Sequence, residues 1–236
     1  MIPTKLQIFD KYFMPCLMNM MAQEIKPIRK NEVNRKLVHL FAIIIPVLYY
    51  FVIKNQIIAI AILLPFAVGS VVWDLARIDN PKYRHKFLKL FGAHLRDSEV
   101  RGLTGGSYLL TSSLVTIAVF TKEIAFLSIS YLVIGDTFAA LFGQSLGRRK
   151  FKNSEKSLEG FIGAFVSCVI FGLISYFWFM KSVFAFNSSN PDLAVVMIIA
   201  GALVGSIVES SNLRINDNIS IPILSGLSMT IIYLFI

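Results

Sequence analysis

The chain is poor in cysteine, histidine and acid, and each shortage closes off a class of protein. Cys16 and Cys168 are its only thiols, too few and too far apart for a disulfide scaffold or a cysteine zinc site. Of the three histidines, His85 and His94 fall in a polar loop as solvated side chains and make no metal-ligand cluster. Acids number 14 against 23 Lys and Arg, a net charge of +9. No zinc-finger spacing, basic helix or basic-aromatic groove accompanies that excess, so nucleic acid is not the expected partner. Internal repeats and low-complexity tracts are missing. The first 36 residues hold no clean apolar run ending in a small-residue cleavage site, so no cleavable signal peptide is expected.

What the chain has in abundance is apolar sequence. Hydrophobic residues make up 56% of 236, and the mean hydropathy is +0.68. Several apolar stretches approach the ~20 residues that cross hydrocarbon. Spans are expected at 37–53, 57–73, 106–121, 124–142, 161–180, 193–208 and 220–236. The fold class is therefore all-α, a polytopic integral membrane protein of about seven transmembrane helices with a cytoplasmic N-terminus. Residues 1–36 form a cytoplasmic N-terminal segment, in which 5–23 reads either as an interfacial helix or as a loosely ordered tail. Residues 37–236 form one membrane catalytic domain. The third span is the most polar: Ser107, Thr111, Ser112, Ser113 and Thr116 suit a helix interface better than lipid.

Seven crossings put the N-terminal segment and loops 74–105, 143–160 and 209–219 on one side. All of the 23 basic residues except Lys54, Lys122 and Lys181 then share that side, as the positive-inside rule requires. The same charge would attract anionic lipid headgroups and nucleotides.

Asp136 is the most informative residue. It sits in an apolar stretch with no other charged side chain between Glu123 and Arg148. A carboxylate there is costly unless it faces the protein interior with a partner. Magnesium ligation would account for it, because hard divalent cations take oxygen ligands; so would a buried pair with Lys or Arg that serves assembly. Beyond it, Gly143 and Gly147 either permit tight helix contact or leave room at a phosphate. Arg148, Arg149, Lys150, Lys152 and Lys156 supply cations for phosphate or for the membrane surface, and Glu159 opens the next span.

Upstream, Asp74, Arg77 and Arg101 precede Gly102, Gly105 and Gly106, a glycine-rich turn into a span that can present amides to an anion. It lacks the Lys-Ser/Thr ending of a P-loop. His39 shares a helix face with Arg35, four residues away, and serves either to bind phosphate or to anchor at the interface. Glu209, Asp217 and Asn218 return to the same side as Asp136. Together these residues allow a Mg–nucleotide site built from several spans, beside a greasy groove for a lipid alcohol.

The ordered set Arg35-Lys36 with His39, Asp74 with Arg77, Arg101 through Gly106, Gly135-Asp136, Gly143 with Gly147-Arg148, Lys156 through Gly160, Glu209, and Asp217-Asn218 with Pro222 resembles the CTP-dependent membrane lipid kinases. That family includes dolichol, phytol and farnesol kinases and the fungal CTP-dependent diacylglycerol kinases, and is related to the phosphatidate cytidylyltransferases. The resemblance implies transfer of the terminal phosphate of CTP to a lipid hydroxyl with Mg2+. It implies catalytic roles for Asp136, Lys156 and Glu159, and metal ligation by Asp136, Glu209 and Asp217. Donor contacts would come from Arg35, His39, Asp74, Arg77, Arg101, Gly102, Gly105, Gly106, Gly143, Gly147, Arg148 and Asn218. Lys156-Ser157-Leu158-Glu159-Gly160 runs into a plain apolar span, without the longer Lys-Arg, Lys-Asp and His-Gly-Gly signature of the cytidylyltransferases. Cytidylyl transfer to phosphatidate is the alternative chemistry, and an anionic-metabolite transporter the alternative class. The oligomeric state is left open.

Overall fold

A computed structural model describes residues 36, 39–91, 95, 99–151, 154–181, 191–211 and 215–234. Eight helices account for most of them: α1 (His39–Ile53), α2 (Gln56–Asp79), α3 (Pro81–Phe91), α4 (Gly105–Val119), α5 (Lys122–Ser145), α6 (Leu158–Met180), α7 (Pro191–Ser210) and α8 (Asp217–Tyr233). Among the described residues no β-strand forms; one isolated bridge joins Lys150 and Ser157. The expected interfacial helix at 5–23 lies outside the described residues, as does almost all of the expected N-terminal segment.

Polar side chains set the helix starts. Asn55, Thr104, Ser157 and Asn216 each accept a bond from a backbone amide in the following first turn, satisfying donors that a helix leaves open. Lys54, in a left-handed conformation (φ 57°), separates α1 from α2. Gln56 then donates to the Ile117 and Ala118 carbonyls at 2.7 and 3.2 Å, closing the far end of α4.

α5 is the central post. It packs against α6, α7, α8 and α4, and its apolar window is 72% buried, against 11% for the peripheral α2. Around its first half, Ile124, Phe126, Leu127, Tyr131, Met180, Met197 and Met229 make the main core. Nearer its other end, Leu132 meets Leu109, Val208 and Ile221.

The expectation of about seven transmembrane helices is corrected. Each expected span is largely helical where it is described, but among the described residues four helices are long and apolar enough to cross a membrane: Gln56–Asp79, Lys122–Ser145, Leu158–Met180 and Leu193–Ser210. The reason is length and polarity. α4 and α8 have 15 and 17 residues, about 22–26 Å of helix against ~30 Å of hydrocarbon, and α1 is another of the shorter apolar helices. α1 is broken by a turn at Ala42–Ile43, α4 buries Ser107, Ser112, Ser113 and Thr116 inside the protein, and α8 opens on Asp217-Asn218 and carries Pro222. The parity argument that gathered the N-terminus and three loops on one face therefore lapses. Contacts instead join described residues of the three loops, Gly105 to Asn218 and Lys156 to Asp217, and hold Lys36 at Asp136.

Candidate functional site

The ends of six helices converge at one pole. α1, α4, α6 and α8 begin there and α5 and α7 finish there, while Lys54, Lys122 and the Tyr49–Tyr50 rings mark the opposite pole. Two charged clusters occupy the shared end.

The first centres on Asp136 of α5. Lys36 Nζ lies 2.6 Å from its Oδ2 and donates to its carbonyl oxygen at 3.1 Å; His39 Nε2 stands 3.5 Å from the same carboxylate oxygen. All three side chains are mostly buried. They line a cleft of about 320 Å³ between α1, α4, α5 and α8. Its polar wall adds Glu99, Thr104, Gly105, Gly106 and Asn218, and its apolar wall is Ala42, Ile45, Leu95, Leu109 and Leu110. Asn218 Nδ2 donates to the Gly105 carbonyl at 3.1 Å, and the Gly105 amide donates to Glu99 Oε1 at 3.2 Å. A Cβ at Gly105 would stand 3.1 Å from Asn218 Nδ2 and 3.2 Å from Glu99 Oε1, so glycine keeps this corner narrow.

The second cluster centres on Lys156. Its Nζ meets Asp217 Oδ2 at 2.9 Å and Glu209 Oε1 at 3.7 Å, and donates to the main-chain carbonyls of Glu209 and Ser211. One ammonium thus closes the end of α7 and fastens it to the start of α8, a favourable place for a cation at a helix C-terminus. Glu209 is 7% exposed, and its Oε2 is buried with no hydrogen-bond partner among the described residues. It lies within electrostatic reach of Asp136, Lys36, Lys156 and Asp217, which joins the two clusters into one charged field.

Other expected site residues are engaged elsewhere. Asp74 and Arg77 are fully buried and bound to each other at 2.7 Å. The Asp74 Oδ2 also accepts from the Thr104 amide, Thr104 Oγ1 and Ser107 Oγ at 2.7, 2.9 and 2.6 Å. Arg77 donates to the carbonyls of Glu99, Val100 and Gly102 at 3.0, 3.2 and 2.6 Å. The pair clamps the loop before α4 onto α2, and neither lines the cleft. Glu159 accepts from the Arg148 and Arg149 amides at 3.1 and 3.3 Å, which folds the loop leading to Lys156. Gly143 and Gly147 meet Ser157, and Gly143 meets Gly160, so their missing side chains let α5 and α6 close. Arg101 and Arg148 are exposed, and neither lines the cleft. Arg35 and Lys152 lie outside the described residues.

Among the described residues no group of three or more His, Cys, Asp or Glu is arranged to hold a metal ion. Asp136 and Asp217 each face a lysine, so they form no closed cage. The Glu209 Oε2, without a partner among the described residues and with Asp217 nearby, fits a cation delivered on a nucleotide, since magnesium is usually held by one or two carboxylates plus phosphates.

Sequence reasoning placed Lys36 only beside Arg35 and missed its hold on Asp136. Its spacing of three from His39 was the available signal, because residues three apart share a helix face. Glu99, Thr104 and Ser107 were missed as parts of the clamp and cleft.

Fold and site define an all-α polytopic membrane protein with a charged, half-apolar cleft at one pole. The chain belongs to the cytidylyltransferase family, whose model matches residues 11–214. An uncharacterised protein of Rickettsia prowazekii is 35% identical over 85% of this chain and 94% of its own length. The CTP-dependent diacylglycerol kinase 1 of Schizosaccharomyces pombe is 27% identical over 84% of this chain and 92% of that protein. The enzyme of the same name from Eremothecium gossypii is 28% identical over 73% of this chain, which spans 59% of that longer protein. No solved structure matches.

Proposed function

We propose that this chain is a CTP-dependent lipid kinase that moves the terminal phosphate of CTP to a membrane-lipid hydroxyl, with diacylglycerol the first candidate and an isoprenoid alcohol the second. One observation carries the reading: the cleft is polar around Asp136, Lys36 and His39 and apolar along Ala42, Ile45, Leu109 and Leu110. Such a cleft suits a molecule with a reactive hydroxyl on an alkyl body. The names of the fungal relatives support the donor and the substrate class.

In this reading the lipid oxygen attacks the terminal phosphorus of CTP. The bond from that phosphorus to its bridging oxygen breaks, CDP leaves, and the hydroxyl proton passes to the Asp136 carboxylate. Lys36 and His39 hold that carboxylate in place and stand within reach of incoming phosphate oxygens, a charge-stabilising role. Lys156 neutralises Glu209 and Asp217 and fixes the α7–α8 junction. Asn218 and Gly105–Gly106 at the start of α4 shape the phosphate end of the cleft, with Arg35, Arg101 and Arg148 as donor contacts. Mg2+, if carried in on the nucleotide, would be held by Glu209 and Asp217 and would neutralise phosphate charge. The site-bearing pole is assigned to the cytoplasm, where CTP resides and where an excess of Lys and Arg is expected.

Cytidylyl transfer to phosphatidate is the second reading, favoured by the family's own description. The purified protein with diacylglycerol and CTP labelled at the terminal phosphate tests the first: label in phosphatidate supports it. No transfer there, but CDP-diacylglycerol formed from alpha-labelled CTP and phosphatidate, would replace it with the second.

A further inference from the structure

No described side chain of α3 (Pro81–Phe91) lines the cleft, yet its pattern is ordered. Arg84, Phe87 and Leu88, spaced i, i+3 and i+4, are half-buried toward the protein, and the Arg77 guanidinium stands 4.7 Å over the Phe87 ring. Lys82, His85, Lys86 and Lys89 repeat at i, i+3, i+4 and i+7 and are all exposed, so they form one stripe on the opposite face. No acid lies within the helix, and among the described residues none of the three lysines has an ion-pair partner. The helix begins two residues after α2, a span of membrane-crossing length, ends at Asp79. Trp73 on α2 and Tyr83 on α3 are both half-exposed, with ring centroids 6.3 Å apart. Exposed aromatic rings at the end of an apolar helix mark the headgroup level of a bilayer. Lys86 lies one turn from Tyr83, so its long side chain can follow the rings and place its ammonium among phosphates.

We infer that α3 is a headgroup-binding rail: its Lys82, Lys86 and Lys89 stripe gathers anionic phospholipid around this pole of the protein. This rests on membrane placement and not on the kinase reading, so the two stand or fall separately. The occupant is a layer of anionic lipid headgroups, argued from a cationic stripe with no ion-pair partner among the described residues, level with the Trp73–Tyr83 pair.

The test places Trp73 as reporter. In a Trp178→Phe background, Trp73 is the only tryptophan. The full chain is reconstituted into vesicles in which a minor fraction of the lipid has acyl chains brominated near the headgroup. That fraction is either phosphatidylglycerol or phosphatidylcholine. Trp73 should be quenched more strongly by the anionic lipid, corresponding to about twofold or greater local enrichment, and high salt should cancel the difference. Lys82→Gln, Lys86→Gln and Lys89→Gln together should equalise the two lipids. The three side chains are exposed, so the variant is expected to fold, which an unchanged elution profile in detergent checks. Equal quenching in the parent would overturn the proposal, and so would a preference that survives the triple substitution. Trp178, 83% exposed near the opposite pole, should show no such preference in a Trp73→Phe background.

Discussion

Lys36 holds Asp136 twice, through the carboxylate at 2.6 Å and through the main-chain carbonyl at 3.1 Å. Residues a hundred positions apart are thereby locked at the floor of the cleft, and the start of α1 is docked on the central helix. A lone acid in a buried apolar helix is tolerated because this cation, with His39 beside it, answers its charge. The contact serves assembly and leaves the carboxylate facing the cleft, so the pair can be structural and chemical at once.

Asp136→Asn should therefore lower phosphate transfer by about 10²–10⁴-fold, the range for loss of a positioned proton acceptor, while the protein still inserts and elutes as a single species. Lys36→Met should be similarly impaired. Combining them should cost no more than the worse single change, as expected for residues acting as a unit. Wild-type turnover by Asp136→Asn in membranes would remove Asp136 from the mechanism.

How much of this could be read from the sequence differs by element. The helices stood out because each is an apolar run approaching the length that crosses hydrocarbon, and Asp136 stood out because no other charge shares its run. The span count did not follow, since hydropathy marks an apolar segment but not whether it is long enough or turns its hydroxyls inward, as α4 does with Ser107, Ser112, Ser113 and Thr116. Asp74 and Arg77 were visible as neighbours on a helix. That Thr104 and Ser107, thirty residues later, would complete the Asp74 shell is a tertiary fact no local pattern carries. Likewise, Gly143 and Gly147 read equally as packing or as phosphate room until Ser157 was seen against them.

The Asp74–Arg77 clamp gives a second prediction. Removing either partner leaves a buried charge facing unsatisfied groups, a loss of about 3–5 kcal/mol. Asp74→Ala and Arg77→Ala should each lower the thermal unfolding midpoint in detergent sharply, and Asp74→Asn combined with Arg77→Met should recover part of it. A preparation of Arg77→Ala with unchanged stability and a raised KM for CTP would instead make Arg77 a nucleotide contact.

Lys156 makes a third case, because it answers two carboxylates and two carbonyls together. Lys156→Met leaves Glu209 buried without its cation and frees the α7–α8 junction, so stability should fall by about 3 kcal/mol or more. Adding Glu209→Gln removes that buried, uncompensated charge and should restore much of the unfolding midpoint. Activity should stay low in the double variant, since the carboxylate assigned to a nucleotide-borne cation is gone. Full activity in Lys156→Met/Glu209→Gln would separate this cluster from the chemistry altogether.

Two glycines supply opposite outcomes from the same substitution. At Gly160 an added Cβ would stand 2.9 Å from the Ala139 carbonyl oxygen and 3.3 Å from the Gly143 Cα. Both are backbone atoms of α5 that cannot turn aside, so α6 would have to retreat from the central post. Gly160→Ala should destabilise by about 1–3 kcal/mol, the usual cost of overpacking, and should loosen the loop that carries Lys156. Gly69 lies inside α2 with nothing within 4 Å of the same added atom. There alanine meets no neighbour and lowers the backbone entropy lost on folding, so Gly69→Ala should stabilise by roughly 0.5–1 kcal/mol. Thermal unfolding of the two variants in one detergent compares them directly. Equal shifts of one sign would mean that α5 and α6 are not packed through Gly160 as the structure has them.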